Sequence, residues 1–243
     1  MLSLRWIWTR FPQNRRRRLD KSLKAISLAL VILALTGCAG LGGGVKQKRE
    51  TGRSFLVTDL AEGKGYGLYS YLLFGSPPTD ATRERYLKAI EAYLLLPDIV
   101  ELGRYLERHE LNITYLPVDA PPPPVKVSPE FVFEHYNYAR ARKLLRAFPG
   151  NYRDGPYIVS SLKPLGSIEI LSGQYLYQNL SFVPPHLVSA WVKEFLDQAA
   201  QERFWEERTA EQLALKIRTA IAILAEGLPD VQKALKTWIV WIR

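Results

Sequence analysis

The sequence predicts an α+β or α/β fold: a mixed, partly parallel sheet with covering helices, completed by a C-terminal layer of three amphipathic helices. Three observations carry this. Short runs rich in β-branched and aromatic residues recur at 54–60, 67–74 and 112–118, bounded by turn-forming residues as strands are. Between the second and third, apolar residues repeat at helical spacing, and strand–helix–strand order calls for a crossover and a parallel pair. From Pro185 onward the apolar spacing is helical throughout.

Taken in order, "SFLVTDL" (54–60) and "GLYSYLLF" (67–74) are strands joined by the turn-forming "AEGKG". The second places Tyr69 and Tyr71 on one face and Leu68, Ser70 and Leu72 on the other, so both faces should be covered. A helix follows, capped by Thr79 or Asp80 and carrying Tyr86, Ile90, Tyr93 and Leu94 on one side. Glu84 stands four residues ahead of Lys88, the favourable order for a helical ion pair. Pro97 breaks that helix, and Ile99, Leu102 and Leu106 mark another. "NITYLPV" (112–118) is the returning strand, and "APPPP" (120–124) a stiff polyproline connector. Ser128 and Pro129 open a helix expected to run to about Ala147, with Arg140, Arg142, Lys143 and Arg146 suiting its C-terminal dipole.

"PYIVSSL" (156–162) is a further strand, and "SIEIL" with "QYLYQNL" should form a hairpin around Ser172–Gly173. Three apolar stripes close the chain: Val188, Trp191, Phe195 and Ala199; Leu213, Ile217, Ile221 and Leu224; and Val231, Leu235, Trp238 and Ile242. Thr209 and Gln212 have capping-box spacing, Gly227 stops the middle helix, and Pro229 starts the last.

The first 37 residues belong to a different class of segment. Residues 1–24 carry eight Lys and Arg against Asp20; "AISLALVILAL" (25–35) is apolar except for Ser27. Small residues then surround the sole cysteine, Cys38. Basic, apolar and small regions in that order make an export signal, and eleven apolar residues are about half of the roughly 20 a spanning helix needs. Leu35-Thr36-Gly37-Cys38 resembles the lipobox of bacterial lipoproteins. That resemblance implies cleavage between Gly37 and Cys38, a diacylglyceryl thioether on Cys38, and acylation, as with palmitate, of the new amino group. Membrane lipid is then the first partner, because two or more acyl chains anchor a protein stably where one does not. Ala39, rather than aspartate, follows the cysteine, which in diderm bacteria implies the outer membrane, facing the periplasm.

The domains expected are therefore a signal peptide (1–37), a lipidated glycine-rich tether (38–53) and one globular body (54–243), the last divided into an α/β portion (54–183) and a helical portion (184–243). The chain's net charge of +9 falls to +2 without residues 1–37, and from Ser54 onward 21 basic residues face 22 acidic ones. The electrostatic footprint of a nucleic-acid binder is absent from that body, so no nucleic-acid partner is expected.

Chemistry is sparsely signalled. His109, His135 and His186 have no partners at metal-ligand spacing, and no cofactor fingerprint is present, so neither metal nor cofactor is expected. "GKGYG" reads as a tight turn. A site in an α/β body should lie at the carboxyl ends of parallel strands, which would offer Gly75, Ser76, Thr79, Asp119 and Ser160 or Ser161. A periplasmic hydrolase built from Ser161, Asp119 and His135 is the alternative reading. The leading one is a lipid-anchored binding or assembly module, its partner an envelope protein or glycan. The tyrosine clusters "YGLYSYLLF", "FVFEHYNYA" and "YLYQNLSF" either dock that partner or form a tyrosine-rich core. "TWIVWIR" offers Trp238 and Trp241 for packing or for a membrane interface.

Overall fold

Alternation along the apolar runs builds a five-stranded sheet in the computed structural model, which describes residues 48–124, 126–148, 155–167 and 175–205. Its strands are β1 (Glu50–Val57), β2 (Leu68–Leu73), β3 (Leu111–Val118), β4 (Tyr157–Ser161) and β5 (Tyr175–Asn179). They lie in the spatial order β1-β3-β2-β4-β5. β3 pairs in parallel with both β1 and β2, whereas β2–β4 and β4–β5 are antiparallel. The mixed, partly parallel sheet expected from the sequence is thus present, with β2 to β3 as its crossover.

Five helices are described: α1 (Asp80–Leu94), α2 (Ile99–Leu102), α3 (Pro129–Glu134), α4 (Tyr138–Leu145) and α5 (Pro185–Ala199). α1 and α5 pack on each other, and Ser189 of α5 donates a hydrogen bond to the Lys88 carbonyl of α1 at 2.9 Å. The ring of Tyr93 on α1 meets Phe55 of β1 edge-on, and Tyr86 stacks on Phe74 with centroids 4.4 Å apart. These two helices therefore cover the face that carries Phe55, Ser70 and Leu116. The stripe Val188, Trp191, Phe195 and Ala199 is buried as its spacing predicts. Each large apolar side chain removed from water there contributes roughly 1.5–3 kcal/mol.

The opposite face carries Tyr69, Tyr71, Tyr115, Tyr157, Tyr175 and Tyr177, all buried. Phe148, just past α4, closes over it with rings 4.6 Å from Tyr175 and 5.4 Å from Tyr177. Most aromatic residues of "YGLYSYLLF" and "YLYQNLSF" are therefore core, whereas Phe182 is exposed and Tyr66 only partly buried; Tyr136 of "FVFEHYNYA" is buried on the other side with Tyr86 and Tyr93. On the α1/α5 face a polar row crosses four strands: Asn112 donates to Thr51 (3.1 Å) and accepts from Ser70 (2.9 Å), whose hydroxyl lies 2.7 Å from that of Ser160. Buried polar groups so paired avoid the penalty of desolvation without a partner.

The structure adjusts several expectations. β1 begins at Glu50, so residues 50–53 assigned to the tether are strand, held by pairing with Leu111–Thr114. Sequence periodicity missed this because Gly52 interrupts the run; a Cβ there would lie 2.9 Å from Ile99 and Leu102 of α2, which packs against the bare backbone. The helix expected from Ser128 to Ala147 is two helices. Asp119 N–H bonds the His135 carbonyl at 2.7 Å, and Asn137 N–H bonds the Pro117 carbonyl at 3.1 Å, so β3's end captures the backbone between them. Asn137 then caps α4 by accepting from Arg140 N–H at 2.8 Å. α2 stops after four residues, at Leu102. β5 pairs with β4, while residues 168–171 of "SIEIL", the second and third C-terminal stripes, the Trp238–Trp241 segment and the lipobox lie outside the described residues. Among the described residues no helix is long and apolar enough to cross a membrane.

Candidate functional site

Three segments far apart in sequence meet beside the tyrosine face: the β1–β2 loop, α4, and the turn after β4. Between them opens a cleft of about 630 Å³ lined by Glu62, Lys64, Tyr66, Tyr69, Arg140, Lys143 and Lys163 among others. A second depression of about 280 Å³ shares Glu62, Arg140, Lys143 and Gly166 with it and adds Arg146. Among the described residues, five cations thus stand round one carboxylate, in a body whose total charge is close to zero.

The loop is shaped by its glycines. Gly65 sits at φ +85°, where an L side chain would be strained, and a Cβ on Gly67 would fall 2.0 Å from the His109 carbonyl oxygen and 2.5 Å from Arg49 Nε. Gly63 N–H donates to the Tyr115 hydroxyl at 2.7 Å, and Tyr66 N–H to the Tyr69 hydroxyl at 3.1 Å. Tyrosine tips of the core thereby hold the "GKGYG" turn in place, and Lys64 projects from it. Arg108 reaches over from β3's leading end, donating to the Lys64 carbonyl at 3.1 Å with its guanidinium 5.6 Å above the Tyr66 ring.

Glu62 forms the floor. Its carboxylate accepts the Tyr71 hydroxyl at 2.6 Å and Gly166 N–H at 2.9 Å, and Tyr71 in turn accepts Leu165 N–H at 3.0 Å. Burial first, and the neighbouring Glu62 charge second, push the Tyr71 phenol well above its ordinary range, so it stays a donor to the carboxylate. Burial pushes Tyr115 up to about 12. Arg140 donates to the Val57 and Leu60 carbonyls, tying α4 to the loop while leaving its charge in the cleft. Among the described residues, the Lys64, Lys143 and Lys163 ammoniums have no carboxylate within ion-pair distance. Such an arrangement attracts and holds oxyanions.

The residues singled out from sequence fall elsewhere. Ser161 is buried at the end of β4, its hydroxyl donating to the Lys163 carbonyl. β4 is antiparallel, so Ser161 pairs with Tyr69 at the start of β2, in line with Ile113, whereas Asp119 follows the end of β3. Six residues of strand separate those levels, about 20 Å at the usual rise. Asp119 and His135 do meet, through backbone, and the His135 ring lies 4.5 Å from Phe131. The sheet therefore brings together Asp119 and His135 but parts them from Ser161. Ser160 belongs to the buried polar row, and Thr79 caps α1 with Thr82. Gly37 and Cys38 lie outside the described residues. His109 is exposed beside Glu107 at 3.2 Å, and among the described residues no three His, Cys, Asp or Glu side chains converge on a metal-sized space.

A signal for the cleft was available: from His135 to Arg153 there are five basic residues and no acid. In a helix that otherwise packs on a sheet, such a run lacks the compensating carboxylates of an ordinary solvated face. In comparisons with known proteins, no family model, no curated protein and no solved structure matches this chain.

Proposed function

We propose that this chain is a lipid-anchored protein of the bacterial cell envelope whose folded body binds a ligand rather than transforms one. The observation that carries the binding reading is the cleft: concave, of a size that suits a small ligand, and lined by cations that have no carboxylate partners among the described residues. Among the described lining residues there is no serine, threonine, cysteine or histidine, so the familiar hydroxyl–imidazole or thiol–imidazole pair does not support a hydrolase reading of this cleft. The anchor reading rests on Leu35-Thr36-Gly37-Cys38 at the end of an apolar run behind a basic one. Acylated at Cys38 and trailing a short tether, the body would stay within a few tens of ångströms of the membrane, most simply the periplasmic side of an outer membrane.

The test is mass spectrometry of the mature N-terminus from fractionated membranes, for wild type and Cys38→Ala. The expected product begins at Cys38 with a diacylglyceryl thioether and an acylated amine, and Cys38→Ala leaves the membrane fraction or retains its leader. A native chain that still begins at Met1 with a bare thiol refutes the anchor. Crosslinking in the same cells recovers what the body touches.

A further inference from the structure

The cleft also indicates the chemistry of its ligand, and we propose that it takes a phosphorylated saccharide. This deepens the binding reading above and rests on it. Lys64, Lys143 and Lys163 are exposed and, among the described residues, without carboxylate partners, and Arg146 adds a fourth cation at the shared wall. Glu62 already accepts two hydrogen bonds, from Tyr71 and Gly166, and among the described lining residues it is the one carboxylate beside five cations. Like charges gathered round a concave, partly desolvated space repel one another until an anion enters.

The cations present accept a tetrahedral anion. A guanidinium fork meets carboxylates and phosphates alike, and the fork of Arg140 is occupied by the Val57 and Leu60 carbonyls, which leaves the three ammoniums and Arg146 for a ligand. Ammonium groups are compact point charges with donors that rotate freely, suited to tetrahedral oxyanions with no preferred plane. One phosphomonoester carries about −1.5 to −2 charges at neutral pH, so one or two match the surplus. Between the cations the lining offers the Tyr66 ring and the half-exposed Leu162 on one hand and the backbone of Gly65 on the other. A sugar ring offers C–H faces to the first and hydroxyls to the second. The volume, about 630 Å³, suits one or two rings rather than a polymer. Such a group could arrive free or as the headgroup of a glycolipid.

The experiment uses the full chain purified from membranes in non-ionic detergent, at about 50 mM salt. The soluble arm titrates glucose 1,6-bisphosphate, with glucose and inorganic phosphate as comparisons. The membrane arm uses phosphatidylcholine vesicles containing a diphosphorylated, acylated glucosamine disaccharide, compared with vesicles containing phosphatidylglycerol. Saturable binding is expected in at least one arm, and the arm that responds identifies the source. Glucose should not bind, inorganic phosphate should bind at least about tenfold more weakly, and about 0.5 M salt should weaken binding by a similar factor. The triple variant Lys64→Ala/Lys143→Ala/Lys163→Ala should lose about 30-fold or more while keeping the wild-type melting curve. Absence of binding in both arms, equal binding by the triple variant, or equal binding of inorganic phosphate or phosphatidylglycerol vesicles overturns the proposal. The N-terminal mass of the same preparation reports the anchor independently, so either reading can fail alone.

Discussion

Raising the pH past 10 should unfold this protein steeply, because its core is built on phenols that ionise only once exposed. Tyr71, Tyr93 and Tyr136 are buried, and burial is the main reason each is held well above its ordinary range. Glu62 adds to the effect at Tyr71, whereas Arg53 opposes it at Tyr93 and the Phe74 N–H opposes it at Tyr136. In the unfolded chain a tyrosine loses its proton near pH 10. Above that value the native state binds more protons than the unfolded state, so stability is complete below about pH 10 and falls as pH climbs toward the native values. At pH 11 an unfolded tyrosine is about 90% ionised, so these three account for about 2.7 protons, or roughly 3.7 kcal/mol of stability per pH unit. Tyr138, pushed up to about 12 by burial first, and Tyr115, likewise, act in the same direction. A domain stable by about 5–15 kcal/mol is exhausted within a few units of that slope. The assay records tyrosinate absorbance and far-ultraviolet circular dichroism on one sample stepped from pH 9 to 13. The late part of the tyrosinate signal should arrive together with loss of secondary structure. If all 13 tyrosines ionise while the circular dichroism is unchanged, the argument from burial is wrong. The variant Tyr71→Phe/Tyr136→Phe should show a shallower slope, smaller by roughly 2.4 kcal/mol per pH unit at pH 11.

Other perturbations test the packing and the cleft. Gly67→Ala sets a Cβ 2.0 Å from the His109 carbonyl, a backbone atom that cannot swing aside; the expected loss is about 3 kcal/mol, or roughly 6–12 °C in calorimetric Tm. Gly103→Ala, whose nearest contact would be 3.3 Å, is the milder comparison, and equal losses would discredit the steric account. Asn112→Ala breaks the polar row at its centre and should lower the unfolding free energy by about 2–3 kcal/mol in urea; a change below about 0.5 kcal/mol would mean that the row contributes little. Glu62→Gln weakens the bonds to Tyr71 and Gly166 yet removes the cleft's one carboxylate among the described residues. Stability should fall by about 1–2 kcal/mol while glucose 1,6-bisphosphate binds a few-fold tighter, and parallel changes in both would contradict the electrostatic picture.

What could be read without coordinates depended on how locally each feature is encoded. β2, β3 and β4 were legible because alternation and flanking turns mark them within a few residues, and α5 because its stripe recurs at helical spacing. The start of β1 was not: its residues 50–53 are polar or glycine, and what makes them strand is β3, some sixty residues away. The break between α3 and α4 likewise comes from hydrogen bonds to Pro117 and Asp119, which no helical periodicity registers. The direction of β4 decided the fate of the serine reading. An antiparallel strand delivers Ser161 to the edge opposite Asp119, and strand direction is a property of the connection rather than of "YIVSS" itself.

Charge was the most misleading summary of all, for a physical reason. From Ser54 onward the basic and acidic residues nearly cancel, which argues against a partner recognised by long-range attraction alone. Screening limits an exposed charge to a range of about 8–10 Å in physiological salt, so a ligand responds to the charges within that distance and not to the total. The fold gathers Lys64 from a loop, Lys143 from a helix and Lys163 from a turn round a space of about 630 Å³, with Arg146, just past that helix, in the adjoining depression. Among the described residues, the acids Glu50, Glu194 and Asp197 lie instead on the helix α5 and β1 side. A neutral body can therefore carry a locally cationic pocket, and because that pocket is small its partner should be a compact, multiply charged anion. A long polyanion would need a basic surface more extended than this pocket.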